Sequence, residues 1–316
     1  MGHDIKTIRK QFSERGVFYT DLKLAAILKD LIATDYNEVY DPTCGDGNLL
    51  SVFPDNIKKY GQEIDEQQLL SASSRLVNFY GEVGDTLSQP AFLGKKFKAI
   101  VANPPFSIKW NPMPDDERFR VAPAVAPPSR ADYAFLLHIL HYLADDGQAA
   151  VLNFPGILYR GNAEGRIRRW LVEQNVIEKI IHVKGDYFVD TKIDTVIVLL
   201  SKSKDTTDIA FAELKSGRER VVPIQEIEEN DFNLSVSCYL PDEKPVAPEV
   251  DPLDLEMKAR QQCTMRIRKE LQFSKAVCDI EGWKIEPFIG DIKKTVRNFE
   301  YECRTDRNGQ RKIPGL

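Results

Sequence analysis

The chain has 316 residues, of which 42% are hydrophobic and 29% charged, and its formal net charge at pH 7 is −5. This balance is typical of a globular protein and argues against one that coats nucleic acid through a general excess of positive charge. No apolar stretch reaches the roughly 20 residues that a membrane-spanning helix needs. The amino terminus lacks the apolar segment of a signal peptide, and the 5 cysteines are scattered. We therefore expect a cytoplasmic protein with reduced thiols and no membrane association.

The spacing of apolar residues predicts helices and strands in alternation up to about residue 203. Helices are predicted over residues 5–15, 21–33, 66–78, 132–143 and 163–173, and strands that end near residues 40, 64, 83, 102, 154, 183 and 201. Such alternation predicts an α/β fold with a doubly wound, mostly parallel sheet. Residues 188–200 have the pattern of a final hairpin with an antiparallel last strand, and residues 205–240 fit two or three more short strands.

A proline-rich insert follows the strand that ends at Ala102. It runs from Ser107 to Arg130 and contains five prolines. Connections of this length without regular structure are uncommon inside a domain and usually have a function. We interpret the insert as a substrate-facing lid, and a disordered insertion is the alternative.

The most informative motif lies between that strand and the insert. The apolar run up to Ala102 ends on Asn103-Pro104-Pro105-Phe106. Each proline lacks an N–H and has a fixed φ, so the strand must stop in a rigid turn. Ligands of open α/β sheets bind at this carboxyl edge. An amide oxygen and a rigid carbonyl can accept hydrogen bonds from an amino group, and the ring can stack on a flat base. The motif therefore predicts a site for an exocyclic amino group.

A second ligand-binding loop is predicted after the first strand. It has the sequence Asp-Pro-Thr-Cys-Gly-Asp-Gly-Asn from Asp41 to Asn48. Glycines in such a loop let the backbone approach a ligand closely. Position 50 is Leu where a dinucleotide fingerprint has its third glycine, which disfavours pyrophosphate binding. The predicted contacts from this loop are Asp41, Thr43, Gly45, Gly47 and Asn48.

Two acids at the ends of the next strands complete the predicted cofactor site. Glu63 ends the second strand, where an acid commonly bonds ribose hydroxyls, and Ile64 beside it can pack on an adenine ring. Asp85 ends the third strand, next to Thr86, and can accept a hydrogen bond from the amino group of the cofactor. Either acid taken alone also fits a helix cap or a solvated loop residue, and it is their order along the chain that favours the cofactor site.

These motifs resemble those of one enzyme family. Asn103-Pro104-Pro105-Phe106 resembles the catalytic motif of methyltransferases that use S-adenosylmethionine to methylate adenine N6. The segment from Gly16 to Thr20 resembles the Gly-x-Phe-Tyr-Thr segment of DNA adenine methyltransferases of the type I modification-subunit kind. Asp21 stands where that family usually has Pro. Asp132-Tyr133-Ala134-Phe135 and Phe188 extend the resemblance, which covers residues 10 to 240.

The resemblance implies a seven-stranded Rossmann-like methyltransferase sheet and S-adenosylmethionine as the cofactor, with no metal. Tyr19 and Thr20 would meet the methionine part of that cofactor. The Asn103 side-chain oxygen and the Pro104 carbonyl would accept the two N–H groups of the target adenine. Phe106 and Phe188 would stack on the two faces of a base flipped out of the duplex.

The resemblance also implies a domain division and partners. Residues 1–36 would hold N-terminal helices and the cofactor-contacting segment, residues 37–240 the methyltransferase domain, and residues 241–316 a linker and a basic C-terminal extension. The helical domain that usually precedes the Gly-x-Phe-Tyr-Thr segment is almost absent, and no segment resembles a target-recognition domain. We therefore expect double-stranded DNA as the substrate, together with a separate specificity subunit and a restriction subunit.

Other readings of the same residues stay open at this stage. The turn also fits a methyltransferase that acts on an RNA base or a protein glutamine, or a catalytically silent binding subunit with the same fold. Arg166, Arg168 and Arg169 fit either phosphate contacts or a solvated helix face. The basic stretch around Arg260 to Lys269 fits DNA or an acidic partner helix. His138 and His141 are predicted to be core or surface residues and not metal ligands.

Overall fold

The structure is a computed structural model that describes residues 21–33, 35–185, 194–241 and 252–302, with side chains of the last range described at 256–294. The chain divides into two compact units, Met1–Asp242 and Glu243–Leu316. The predicted helix at residues 5–15 lies outside the described residues, as do Tyr19, Thr20 and Phe188.

Within the described residues, the first unit contains one sheet of nine strands in the order β3-β2-β1-β4-β5-β7-β6-β8-β9. The strands are β1 (Glu38–Asp41), β2 (Lys58–Glu63), β3 (Phe79–Val83), β4 (Phe97–Ala102), β5 (Leu143–Asn153), β6 (Ile177–Val183), β7 (Thr195–Ser201), β8 (Ile209–Glu213) and β9 (Glu219–Val222). The first five strands pair in parallel, and β7 runs antiparallel between β5 and β6. The predicted doubly wound sheet with an antiparallel last strand is therefore confirmed, and β8 and β9 extend it beyond seven strands.

The helices of the first unit cover both faces of the sheet. They are α1 (Leu22–Asp30), α2 (Asn48–Ser51), α3 (Glu66–Arg75), α4 (Glu117–Arg120), α5 (Asp132–Tyr142), α6 (Asn162–Glu173), α7 (Ile224–Glu229) and α8 (Val236–Tyr239), with a 3-10 turn at Pro155–Leu158. On β4, Ile100 and Ala102 belong to the apolar cluster that contains α5 and α6. Ala99 and Val101 belong to the opposite cluster, which contains α1 and α2. Burial on both faces explains why β4 is almost uniformly apolar.

The insert of residues 107–130 has more structure than the sequence predicts. It contains α4, and its Phe119 and Ala126 are buried in the core cluster with α5. The Trp110 indole N–H donates to the Pro127 carbonyl over 3.1 Å, and the Trp110 backbone N–H donates to the Pro128 carbonyl over 3.0 Å. The two ends of the insert are therefore fastened to each other, and the expectation of an unstructured connection is wrong.

The second unit is helical where it is described. It contains α9 (Pro252–Glu281) and α10 (Glu286–Glu302). Large apolar side chains are exposed here, including Met265 and Phe273 on α9 and Trp283 between the two helices. No described helix is long and apolar enough to cross a membrane.

Candidate active site

A cleft of about 160 Å³ lies at the carboxyl ends of β1, β2, β3 and β4. It is lined by Pro42, Thr43, Gly45, Glu63, Ile64, Gln68, Gly84, Asp85, Thr86, Asn103, Pro104, Pro105, Ile108 and Phe135. The loop after β1, the acids after β2 and β3 and the turn after β4 thus meet in one place. Parallel strands explain this convergence, because their carboxyl ends share one edge of the sheet.

Most residues that the sequence predicts for the site line the cleft, and some do not. Asp41, the last residue of β1, is buried. The cleft lining does not include Asp41, Gly47, Asn48 or Phe106. The Asn48 side-chain oxygen accepts a hydrogen bond from Arg75 over 3.0 Å, so this side chain already has a partner in α3. Phe106 packs partly against the core cluster with α1 and α2.

Five lining residues were not predicted as site residues: Pro42, Gln68, Gly84, Ile108 and Phe135. Gln68 lies in the first turn of α3, just after the acid at the end of β2, and Phe135 belongs to the Asp-Tyr-Ala-Phe motif. The only sequence signal that Gln68 and Phe135 belong to the site was their position next to predicted motifs. Their approach to the cleft depends on how α3 and α5 pack on the sheet, which the local sequence does not specify.

The β1 loop turns tightly through two left-handed glycines, with φ +53° at Gly45 and φ +84° at Gly47. The Gly47 N–H donates to the Cys44 carbonyl over 2.8 Å. A Cβ at position 47 would lie 2.6 Å from the Leu76 Cδ1 and 3.2 Å from the Ala72 Cβ. Gly47 therefore serves both the backbone conformation and the close packing of the loop on the end of α3.

We expect Gly47→Ala to lower the free energy of unfolding by about 2 kcal/mol, because alanine adds left-handed strain and a side-chain clash. Gly94→Ala is the matched control, since Gly94 has φ +78° and nothing within 4 Å of its added Cβ. Denaturant unfolding of both variants separates the cost of the left-handed strain, which both variants share, from the cost of the side-chain clash, which only Gly47→Ala has. Equal losses for the two variants would contradict the role of packing at Gly47.

The two strand-end carboxylates are held in fixed orientations. One Glu63 carboxylate oxygen accepts the Gly45 N–H over 2.9 Å, and the other accepts the Asp65 N–H over 3.0 Å. The Asp85 carboxylate accepts the Leu87 N–H over 3.0 Å and the Ser88 hydroxyl over 2.7 Å. Each carboxylate oxygen can accept a further hydrogen bond. Both groups can therefore take donors from a ligand without reorienting.

Buried polar atoms without a hydrogen-bond partner cluster around the same loop. Among the described residues, these include Asp41 Oδ2, Thr43 Oγ1 and Gln68 Oε1. The other Asp41 oxygen accepts the Thr43 N–H over 2.9 Å. Burial raises the pKa of Asp41 to about 8, and the nearby Glu63 carboxylate adds to this rise. Buried polar groups are normally paired, so these atoms indicate a ligand with hydrogen-bond donors.

The turn after β4 is fastened at its exit to the start of α5. Ser107 has a left-handed backbone with φ 53°, and its N–H donates to Asp132 Oδ1 over 2.9 Å. The buried Asp132 carboxylate also pairs with Arg160 over 3.4 Å, and Arg160 pairs with Glu164 over 3.2 Å. This network holds the residue that directly follows the Asn-Pro-Pro-Phe turn.

We expect Asp132→Asn to lower the free energy of unfolding by about 1–2 kcal/mol, because the amide keeps the shape but removes the charge opposite Arg160. Denaturant unfolding measures this loss. Asp145→Asn is the control, since the Asp145 side chain is fully exposed. A loss at Asp132 no larger than that of the control would contradict a structural role for this network.

Of the three arginines on α6, only Arg168 is buried. The buried Arg168 guanidinium donates to the carbonyls of Phe232 and Arg160, each over 2.7 Å. Arg169 pairs with Glu173 over 2.7 Å and lies over the Phe232 ring. The phosphate contact that the sequence allows is therefore wrong for Arg168, whose donors serve backbone carbonyls. Arg166 is exposed.

The two histidines of α5 occupy the positions predicted for them. His138 is buried in the core and its Nε2 lies 3.2 Å from the Tyr40 hydroxyl. His141 is partly exposed and lies 3.5 Å from the Glu117 carboxylate.

Comparison with known proteins places the chain in a family. Residues 6–222 match the family described as N-6 DNA Methylase. The chain belongs to this family. Its match includes the β1 loop, the two strand-end acids and the Asn-Pro-Pro-Phe turn that meet in the cleft.

Several relatives of this chain are methylase subunits of type I restriction enzymes. The MpnII methylase subunit of Mycoplasma pneumoniae is 33% identical over 231 residues, which cover 62% of this chain and 42% of the relative. The MjaVII methylase subunit of Methanocaldococcus jannaschii is 26% identical, with 91% of this chain and 57% of the relative covered. The chain thus spans about half the length of the curated relatives that it matches.

Solved structures of the family are also similar. The type I restriction-modification methyltransferase subunit from Streptococcus thermophilus superposes with a TM-score of 0.64 at 28% identity, covering 69% of this chain and 58% of that one. A modification subunit of a putative type I restriction enzyme from Vibrio vulnificus has a TM-score of 0.51 at 18% identity, covering 71% of this chain and 55% of that one. The second likeness supports the fold alone.

Proposed function

We propose that this chain transfers a methyl group from S-adenosylmethionine to the N6 amino group of adenine in DNA, as the modification subunit of a type I restriction-modification system. One observation carries the proposal. Asn103 and Pro104 of the turn after β4 line the same cleft as Glu63 and Asp85. A site for an amino group thus adjoins a site for a nucleoside.

The residues around the cleft fit S-adenosylmethionine. Its ammonium group would supply the positive partner that the unpaired Asp41 oxygen lacks. Glu63 would accept the ribose hydroxyls, Ile64 would pack on the adenine ring, and Asp85 would accept the adenine amino group. Thr43, Gly45, Gly47, Asn48 and Thr86 would shape the surrounding loops, with Tyr19 and Thr20 at the methionine part. When bound, this cofactor supplies a methyl group on a positively charged sulfur.

The chain itself would prepare the target nitrogen. The adenine amino group is a poor nucleophile because its lone pair is delocalised into the ring. The Asn103 amide oxygen and the Pro104 carbonyl would accept its two N–H groups and draw the nitrogen towards tetrahedral geometry. The rigid turn holds both acceptors in advance, so little reorganisation accompanies the reaction. Alignment of the nitrogen with the methyl group supplies much of the rate.

The target base has to leave the duplex to reach this turn. Phe106 follows the two prolines, and we propose that its partly buried ring stacks on one face of the flipped base. Phe188 is proposed for the other face. We also propose that double-stranded DNA is read with a specificity subunit, that a restriction subunit completes the system, and that the assembly works in the cytoplasm.

Transfer of a tritium-labelled methyl group tests the substrate class. The purified chain would be incubated with labelled S-adenosylmethionine and, in separate reactions, duplex DNA, RNA or a glutamine-containing protein. We expect label in DNA alone. Label in RNA or protein would replace the proposed substrate with one of those classes. If no substrate is labelled, calorimetric titration with S-adenosylhomocysteine decides: binding indicates a missing specificity subunit, and no binding contradicts the enzyme.

A further inference from the structure

A buried arginine outside the cleft contacts the turn that carries Asp85. Arg118 belongs to α4 in the insert, and its side chain is only 3% exposed. Its guanidinium donates to the Thr86 carbonyl over 2.9 Å and to the Leu87 carbonyl over 2.6 Å. A residue of the insert thus satisfies two carbonyls of a turn that lies more than 30 residues earlier in the chain.

The orientation of the Arg118 guanidinium is itself determined by its neighbours. Its Nε and Nη2 donate to the two Asp116 carboxylate oxygens over 2.9 and 2.6 Å. Its Nη1 lies 3.0 Å from His138 Nδ1. Burial holds the pKa of the His138 imidazole well below its usual range, so the neutral ring accepts this hydrogen bond and does not repel the guanidinium. Such a paired, planar cation is a rigid support.

The turn has a second anchor on its other side. The Thr86 hydroxyl donates to the Pro42 carbonyl in the β1 loop. The Asp85 carboxylate accepts the Leu87 N–H and the Ser88 hydroxyl, so its direction follows the backbone of the turn. Loss of Arg118 would leave two buried carbonyls without a donor, and the turn would have to move to hydrate them. The Asp85 carboxylate would move with it.

We propose that Arg118 is a positioning residue for the adenine end of the cofactor, because it holds the turn from which Asp85 reaches the adenine amino group. This inference rests on the proposed function of the cleft. It gives the insert a role besides that of a lid: the segment that follows the base-binding turn also supports the cofactor loop. A residue that supports only the fold would lower stability without discriminating between nucleosides.

Calorimetric titration of the full chain with two nucleoside analogues tests the assignment. S-adenosylhomocysteine carries the amino group, and S-inosylhomocysteine has a carbonyl in its place. We expect Arg118→Lys to bind S-adenosylhomocysteine about tenfold more weakly than the wild type, because one ammonium cannot serve both carbonyls in the same geometry. Binding of S-inosylhomocysteine should be weak for the wild type and unchanged by the substitution. Arg120→Lys, on the exposed face of the same helix, is the matched control.

A second variant keeps the test decisive if Arg118→Lys does not fold. Asp116→Asn retains an N-cap side chain for α4 but removes the charge that orients Arg118, and we expect about a threefold loss for S-adenosylhomocysteine alone. Unchanged affinity, or an equal loss for both analogues, would overturn the assignment while leaving the proposed function intact. Failure of the wild type to bind S-adenosylhomocysteine would instead contradict the proposed function and remove the inference with it.

Discussion

Asn103→Ala should lower the rate of methyl transfer to DNA by about 10²–10³-fold, the effect of removing one preorganised acceptor from an active site. The turn itself should survive, because Pro104 and Pro105 still determine its backbone and Ser107 remains bonded to Asp132. We expect cofactor affinity to change by less than about fivefold, since most predicted cofactor contacts come from other loops. Single-turnover transfer of labelled methyl groups, with calorimetry for the cofactor, measures the two quantities separately.

Asn111→Ala is the matched control for this variant, because Asn111 lies in the same part of the chain but is exposed. It should keep the wild-type rate. Retention of more than a tenth of the wild-type rate by Asn103→Ala would mean that the amide does not activate the target nitrogen. A parallel collapse of cofactor binding would mean that Asn103 acts mainly on the cofactor.

Asp41→Asn should have opposite effects on stability and on cofactor binding. In the folded protein the pKa of Asp41 is about 8, against an ordinary value of 3.8. A carboxyl whose pKa rises on folding contributes stability that is complete below its unfolded pKa and is lost as the pH rises through its folded pKa. The wild type should therefore lose stability between about pH 4 and pH 8 through this group.

Asparagine cannot ionise, and its oxygen can still accept the Thr43 N–H. We expect the variant to be more stable than the wild type at pH 9, by up to about 5 kcal/mol, and to differ little from it near pH 4. Its affinity for S-adenosylmethionine should fall at least about tenfold, because the ligand ammonium loses its carboxylate partner. Denaturant unfolding at the two pH values, together with cofactor titration, checks both statements.

Proton release provides an independent check of the Asp41 assignment. At pH 7 the carboxyl is mostly protonated in the folded protein and must ionise to pair with an ammonium group, so binding should release close to one proton. Titrations in buffers of different ionisation enthalpy measure this number. Wild-type binding without proton release, or a variant less stable than the wild type at pH 9, would contradict the role of Asp41.

Most of the cleft could be predicted because its polar and charged side chains lie at the ends of strands. Glu63 ends β2, Asp85 lies two residues after β3 and Asn103 directly follows β4. Parallel strands bring such residues to one edge of the sheet. The short strands predicted within residues 205–240 are confirmed as β8 and β9. Their places in the sheet could not be predicted, because the pairing of β8 with β6 and of β9 with β8 depends on tertiary packing. The family resemblance supplied the identity of the cofactor, which no residue pattern alone specified.

The burial of two arginines could not be predicted from the sequence. Arg118 and Arg168 have the sequence context of exposed helix residues, yet both are buried and donate to backbone carbonyls of distant segments. Because every residue has a backbone carbonyl, the sequence does not show which carbonyls accept a hydrogen bond from a buried arginine. The Pro-rich composition of the insert similarly suggested an irregular loop, because its anchors, Phe119 and Trp110, are single residues without periodicity.

The central claim is that the turn after β4 presents an adenine amino group for methylation. Nucleoside mass spectrometry of duplex DNA after incubation with the chain and S-adenosylmethionine tests it most directly, with the specificity subunit added if the chain alone is inactive. We predict N6-methyladenine as the new nucleoside and its loss with Asn103→Ala. Methylation of a different nucleoside, such as N4-methylcytosine, or N6-methyladenine that persists in the variant, would contradict the account.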